Sequence, residues 1–255
     1  MKRLHILVLV LLVLCVLISS FPVLAQYSSV LVREGDALWE KRIDKKNAKA
    51  AIVSYKKVLE ADADNYEANW KIARSYFFLG DMLPETKEMK DRHKEMGTEG
   101  MRYAKRALEL NPQKIEGHYY YALCLGQYSI GISIIKALAK GLGPDYEEHI
   151  GKALEIDKQY DYAGPLRAMG RYWYKLPWPK RDIEKSVNYL KEAVVFAPMS
   201  IRGRVYLVES YLKAKEKELA KEQLQKALEI VPDFKVEVDA KRWKERAQML
   251  LEDKF

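Results

Sequence analysis

The chain has 255 residues and a formal net charge of +8, and 49% of its residues are hydrophobic and 31% charged. This is the balance of a folded soluble protein with one solenoid or two small globular domains. It excludes a long disordered region, because glycine, proline and low-complexity segments are scarce. Lysine and arginine alternate with glutamate instead of clustering, so the basic excess indicates solvated helix surface and we expect no nucleic-acid partner.

Residues 1–25 have the layout of a secretory signal peptide. Lys2 and Arg3 precede an unbroken apolar run at 6–18, and a Ser-Ser-Phe-Pro break follows it. The 13-residue run is too short to cross about 30 Å of hydrocarbon comfortably. We predict cleavage after Ala25, which would make the protein periplasmic or otherwise exported.

Two other fates of this N-terminal segment stay open. It is either retained as an anchor or lipidated at Cys15, although a lipobox has a small residue where Leu14 stands. Contact with a membrane is expected only in these two cases. If the segment is removed, Cys124 is the only cysteine left, so no intramolecular disulfide can form.

One phrase, typified by Ala-Leu-Glu-Leu-Asn-Pro, recurs five times in the rest of the chain. Successive starts lie 49, 46, 40 and 34 residues apart, and 34 residues is the period of the tetratricopeptide repeat (TPR). Residues 66–81 and 201–232 resemble that family most closely, because small residues there would let two antiparallel helices approach. The five phrases start at Val58, Ala107, Ala153, Ala193 and Ala227.

This resemblance implies an all-α fold, a TPR-like helical solenoid of antiparallel helix pairs over residues 26–255, in which stacked repeats bury one continuous core. A polar-faced helix at about 236–252 is expected as the C-terminal cap. The predicted helices span 28–42, 47–62, 66–80, 84–110, 114–128, 130–141, 145–157, 164–175, 180–197, 201–213, 216–230 and 236–252.

The three longer spacings predict insertions into the repeat. The first, at about 82–97, is charged and favours helix, so it is expected to lengthen one helix pair. The second, at about 129–144, is apolar and predicts a helix that Gly143-Pro144 ends. The third places Pro177-Trp178-Pro179 between the helices of the fourth repeat.

Several of these segments resemble a narrower family, the T component of tripartite ATP-independent periplasmic (TRAP) transporters, over most of residues 30–232. The resemblance implies a helical periplasmic partner of a solute-binding protein, and a homo-oligomer, since some members form rings with a central pore. Eukaryotic microtubule-dynamics regulators share part of the pattern, and the lipoprotein signal frequent in the TRAP family is not found. The matching segments are Gly35-Asp36-Ala37-Leu38-Trp39, Gly141-Leu142-Gly143-Pro144-Asp145-Tyr146, Gly164-Pro165-Leu166, Met169-Gly170-Arg171 and Pro177-Trp178-Pro179.

Repeat phase places arginine and aromatic side chains in a concave groove, where they would suit an anionic or peptide ligand. One turn from Arg171 stand Arg167 and Lys175 instead of a carboxylate, so we expect these arginines to receive a carboxylate from a solute or a partner. The alternative is a core-packed or solvated surface. The candidate groove residues are Trp70, Arg74, Phe77, Tyr119, Arg167, Arg171, Tyr174 and Arg202.

The apolar second insertion has two interpretations. A helical apolar stripe usually faces a core, whereas an exposed stripe would mark an oligomer interface or a pore. The stripe consists of Ile130, Ile134, Leu138 and Leu142.

The sequence predicts no catalytic, cofactor-binding or metal-binding residues. His93, His118 and His149 are not spaced as metal ligands with another histidine or a cysteine. There is no glycine-rich phosphate loop, nucleophile elbow or dinucleotide fingerprint. We therefore expect neither an enzyme nor a bound cofactor.

Together these patterns favour an exported, non-catalytic adaptor that docks a periplasmic solute-binding protein in TRAP-type solute uptake. One alternative is a general scaffold for protein–protein interaction in the cell envelope. Another is a carrier of a small apolar or anionic ligand.

Overall fold

The computed structural model describes residues 28–234 and 237–255, so the predicted signal peptide lies outside the described residues. The described chain is helical and contains no strand, which confirms the all-α, TPR-like prediction. Helix α1 covers residues 28–40. The other helices are α2 (Lys45–Ala61), α3 (Tyr66–Asp81), α4 (Lys90–Leu110), α5 (Ile115–Ile132), α6 (Ile134–Ala139), α7 (Leu142–Ile156), α8 (Tyr160–Lys175), α9 (Ile183–Phe196), α10 (Ile201–Ala214), α11 (Lys217–Glu229) and α12 (Ala240–Lys254).

The described helices form five pairs, α1 with α2, α3 with α4, α5 with α7, α8 with α9, and α10 with α11, and α12 packs on the last pair. The recurring phrase falls near the end of the second helix of every pair. Its first residue is at most 1% exposed in all five cases. The sequence phrase therefore marks the positions where each pair packs against its neighbours, as a stacked repeat requires.

Short polar side chains fix where several helices begin. Asp44 accepts a hydrogen bond from the backbone of Lys46 at the start of α2, and Asn65 accepts one from Ala68 at the start of α3. Asp182 caps α9 and Ser200 caps α10 in the same way. Each cap satisfies a backbone N–H that has no partner within its own helix.

The insertions differ in detail from the prediction. Residues 82–89 form a loop, so the first insertion lengthens only α4, which begins at Lys90 instead of residue 84. The second insertion is split, because Ser133 (φ 80°) and Gly141 (φ 76°) bound a short α6. Pro144 lies in the first turn of α7, where its missing N–H costs nothing, and does not end a helix. The cap helix spans Ala240–Lys254, somewhat later than expected.

Charged side chains connect the last helix pair and the cap to the second pair. Arg202 of α10 forms ion pairs with Asp81, at the end of α3, and with Asp239, just before α12. Arg242 of α12 donates to the backbone carbonyl of Asp81 at 2.9 Å, across 161 residues of sequence. The C-terminal cap thus contacts the second repeat pair as well as the last one.

Candidate functional site

A cavity of about 220 Å³ lies between the first helices of four consecutive pairs, α3, α5, α8 and α10. The short helix α6 and the start of α7 form one of its walls. First helices line the concave side of a TPR-type superhelix, so the cavity lies where such folds bind their partners.

The apolar stripe forms most of this wall. Ile130, Ile134, Leu138 and Leu142 all line the cavity and are all half-buried. The prediction of a single helix is wrong, because Ile130 lies in the last turn of α5 and Leu142 begins α7. The stripe faces a cavity within the chain instead of a closed core, and a role as an oligomer interface or pore stays a prediction.

Five of the eight predicted groove residues line the same cavity, namely Phe77, Tyr119, Arg167, Arg171 and Arg202. The other three do not line this cavity, and the binding role of the whole set stays a prediction. The Arg74 guanidinium packs on the rings of Trp39 and Trp70, at 4.0 and 4.9 Å from their centroids, and Trp70 stacks on Tyr120. Tyr174 lies under the guanidinium of Arg171.

The cavity arginines all have carboxylate partners, contrary to the sequence argument. Asp161 lies six residues before Arg167 in the strained first turn of α8, and the other partners come from other helices and loops. None stands one regular turn away on the same helix, so helical spacing does not reveal them. Whether a ligand binds there stays a prediction, but missing carboxylates no longer support it. The ion pairs are Arg171–Glu209 (2.5 Å), Arg202–Asp239 (2.8 Å), Arg202–Asp81 (2.9 Å), Arg167–Glu237 (3.6 Å) and Arg167–Asp161 (3.7 Å).

Strained backbone borders the cavity at the start of α8. Asp161, Tyr162 and Ala163 all have left-handed φ/ψ angles, which cost roughly 1–2 kcal/mol per residue outside glycine. Tyr119 donates to Asp161 Oδ2 at 2.7 Å, and Arg167 donates to the Asp161 carbonyl at 2.8 Å. These two contacts from the cavity wall hold the turn. The pKa of Tyr119 is raised mainly by its burial and, to a smaller extent, by the negative charge of Asp161.

Sequence reasoning missed a histidine pair. His118 Nδ1 of α5 and His149 Nδ1 of α7 lie 2.9 Å apart, and His149 Nε2 is 3.5 Å from Asp145. Burial, and then the neighbouring His118, lowers the pKa of His149, against the opposing carboxylates of Asp145 and Glu148. Nothing in the local sequence indicates this pair, because the two rings are 31 residues apart and only the packing of α5 on α7 joins them.

Within residues 28–234 and 237–255, no group of three or more histidine, cysteine or acidic side chains is placed to hold a metal ion. The same residues include no helix that is both long and apolar enough to cross a membrane.

A family model for regulator of microtubule dynamics proteins 1–3 matches residues 31–254. The chain belongs to this family. Its similarity to individual members is moderate. It is 28% identical over 183 residues to regulator of microtubule dynamics protein 1 of Pongo abelii, which covers 65% of this chain and 56% of the relative. The human protein 1 is 29% identical over 175 residues, which cover 62% of this chain and 54% of the human protein. The chain thus spans about half the length of these relatives.

Solved structures support the fold. A TPR protein of Thermus thermophilus has a TM-score of 0.63 and 18% identity, and the alignment covers 88% of this chain and 100% of the Thermus protein. PilF of Pseudomonas aeruginosa has a TM-score of 0.57 and 11% identity, and the alignment covers 90% of this chain and 92% of PilF. At such identities the likeness shows the helical TPR-like architecture and nothing finer.

The expected membership of the TRAP T-component family is wrong, because the matching model and the relatives belong to the microtubule-dynamics regulators. The role of a periplasmic adaptor for a solute-binding protein is withdrawn with it.

Proposed function

We propose that this chain is a non-catalytic adaptor that holds an apolar segment of a partner protein in the cavity between α3, α5, α6 and α8. TPR-like folds serve protein–protein interaction in general, and their concave sides bind extended or helical segments. The observation that carries the proposal is the apolar wall of α5, α6 and α7 beside a cavity of about 220 Å³.

The size and charge of the cavity favour side chains of a partner over a whole ligand. Small-molecule sites usually enclose roughly 300–1,000 Å³, whereas this cavity has room for only one or two large apolar side chains. Its arginines are already paired with Glu209, Asp81, Asp239, Asp161 and Glu237. An apolar segment therefore leaves those charge pairs intact, while an anionic group would have to compete with them.

Filling the cavity tests the proposal. Gly126 of α5 lines it, and a Cβ added there would meet only Tyr146, at an ordinary 3.6 Å. A leucine at this position should occupy the cavity without disturbing the backbone. Gly151 of α7 offers a matched control, because a Cβ there meets nothing within 4 Å and the residue does not line the cavity.

The measurement is selection from a peptide-phage library, followed by calorimetry with the selected peptides. We expect apolar peptides to bind the wild-type chain, Gly126→Leu to weaken them at least tenfold, and Gly151→Leu to leave them unchanged. Peptides that bind both variants equally well, or a selection without apolar peptides, would contradict the proposal.

A second candidate function follows from family membership. The relatives are named as regulators of microtubule dynamics, and the net charge of +8 would favour contact with an acidic polymer. Co-sedimentation with polymerised tubulin at low and moderate salt tests it, and absence of the chain from the pellet at low salt would remove this candidate. Export also stays a prediction, and an exported protein would not meet microtubules.

A further inference from the structure

We infer that one edge of the solenoid docks on an anionic lipid surface, independently of what the cavity binds and of the N-terminal segment. In antiparallel pairs, the connections from first to second helix all lie at the same edge. All three insertions into the repeat fall there, and insertions on one face of a repeat protein commonly mark its binding face. The connections that carry the proposal are residues 133–141, which include α6, and residues 176–182.

Contacts show that these connections are neighbours. Lys175, at the end of α8, forms an ion pair with Glu85 of the loop 82–89 at 2.6 Å. A Cβ on Gly143, just after α6, would lie 3.1 Å from the Tyr172 hydroxyl near the end of α8. The segments therefore form one surface at the rim of the cavity.

Two large apolar side chains project from this rim into solvent. Trp178, between two prolines, is 86% exposed, and Ile135 on the outer side of α6 is 70% exposed. Next to Ile135 in sequence, Lys136 is exposed, and Lys180 is exposed two residues after Trp178. Single exposed apolar side chains occur on any protein surface, so these two support the proposal through the lysines beside them.

Basic residues predominate at the rim, and acidic residues predominate at part of the opposite edge. Residues 133–144 and 175–182 contain five lysines and arginines and one carboxylate, Asp182, and the loop 82–89 at the same rim adds Lys87, Glu85 and Glu88. Lys136, Lys140 and Lys180 have no ion pair with any described residue. At the opposite edge, residues 60–67 contain four carboxylates and no cation. The rim is thus the basic end of the molecule and complements an anionic partner.

The composition of the rim favours lipid over protein. Protein interfaces are depleted in lysine and enriched in arginine, but four of these five cations are lysines. Lysines near an anionic leaflet each contribute about a fivefold gain in affinity. Tryptophan is the side chain most typical of the membrane–water boundary, where its ring is buried and its N–H is hydrated.

The test compares vesicles of phosphatidylcholine alone with vesicles that also contain phosphatidylglycerol, using full-length chain and co-sedimentation. Every variant carries the same N-terminal apolar run, so differences between variants report the rim. The variants are Trp178→Ala and the double change Lys136→Glu with Lys180→Glu. Matched controls towards the opposite edge are Val195→Ala, which is 75% exposed, and the double change Lys57→Glu with Lys105→Glu, at exposed lysines that likewise have no ion pair with any described residue.

We expect wild type to bind the anionic vesicles at least tenfold more tightly than the neutral ones. Trp178→Ala should weaken that binding about tenfold and the double lysine change about 25-fold, with both controls unchanged. Quenching of Trp178 fluorescence by brominated acyl chains should disappear in Trp178→Ala. Equal losses in rim and control variants would overturn the proposal. So would rim variants that keep vesicle binding while losing binding to polymerised tubulin, since the partner would then be an acidic protein.

Discussion

The crossing of α4 and α5 depends on glycine, and Gly97→Ala tests this dependence. A Cβ on Gly97 would overlap the backbone nitrogen of Tyr128, and a Cβ on Gly131 would lie 2.5 Å from the backbone nitrogen of Lys94. The two glycines thus let the helices touch backbone to backbone from both sides. Because backbone cannot rotate away as a flexible side chain can, an added methyl group must push the helices apart.

The magnitude follows from two opposing effects. Forcing an extra carbon into a packed site costs about 1–3 kcal/mol, and the upper end applies because the obstacle is backbone. Alanine recovers about 1 kcal/mol relative to glycine inside a helix. The net loss in free energy of unfolding is therefore about 2 kcal/mol, which for a chain of this size corresponds to a Tm lower by about 4–8 °C.

Thermal unfolding followed by far-UV circular dichroism measures this shift. Gly151→Ala is the control, because its Cβ meets nothing within 4 Å, so only the gain in helix propensity remains and Tm should rise by a few degrees. If Gly97→Ala is as stable as Gly151→Ala, the close crossing of α4 and α5 is not what requires glycine.

Three further predictions concern other parts of the chain. Glu237 accepts hydrogen bonds from Ser200 and from the backbone of Ile201, so Glu237→Ala should cost about 3 kcal/mol in urea unfolding. The folded-state pKa of His149 lies below 6.5, so the unfolded chain binds a proton at this histidine more readily than the folded chain does. The free energy of unfolding should therefore fall as the pH drops through 6.5, and it should fall less in His149→Gln. N-terminal sequencing of exported protein should find Gln26 first; a retained Met1 would contradict cleavage.

Much of the fold could be predicted because it depends on short-range periodicity. The recurring phrase placed Val58, Ala107 and the three later starts at buried positions in second helices. Eleven of the twelve described helices begin and end within four residues of the prediction. Helix α4 ends at Leu110 as predicted but begins six residues later, because Pro84 and Thr86 lie in a loop. Local propensity, spacing and capping are properties of neighbouring residues, so the sequence contains them directly.

The candidate site could be predicted only in part. Phase along each helix identified Phe77 and Tyr119, and a separate argument identified Leu138, but the sequence did not show that these side chains border the same cavity. Helical phase also gave Trp70 and Arg74 as groove residues, and these two side chains pack against aromatic rings outside the cavity lining. Helical phase gives the face on which a residue lies, not which neighbouring helix covers that face.

The sequence by itself determined that the chain is a helical repeat, where its pairs fall and that its insertions interrupt the TPR period. Only the tertiary structure decided that the cavity arginines are neutralised, that His118 meets His149, and that the apolar insertion lines a cavity beside them. The physical reason is distance along the chain. Helix periodicity is repeated every few residues, whereas the histidine pair and the ion pairs of Arg171 and Arg202 join residues 31 or more apart, as in Arg171 and Glu209 at a separation of 38. Which side chains meet over such separations depends on how the helix pairs stack.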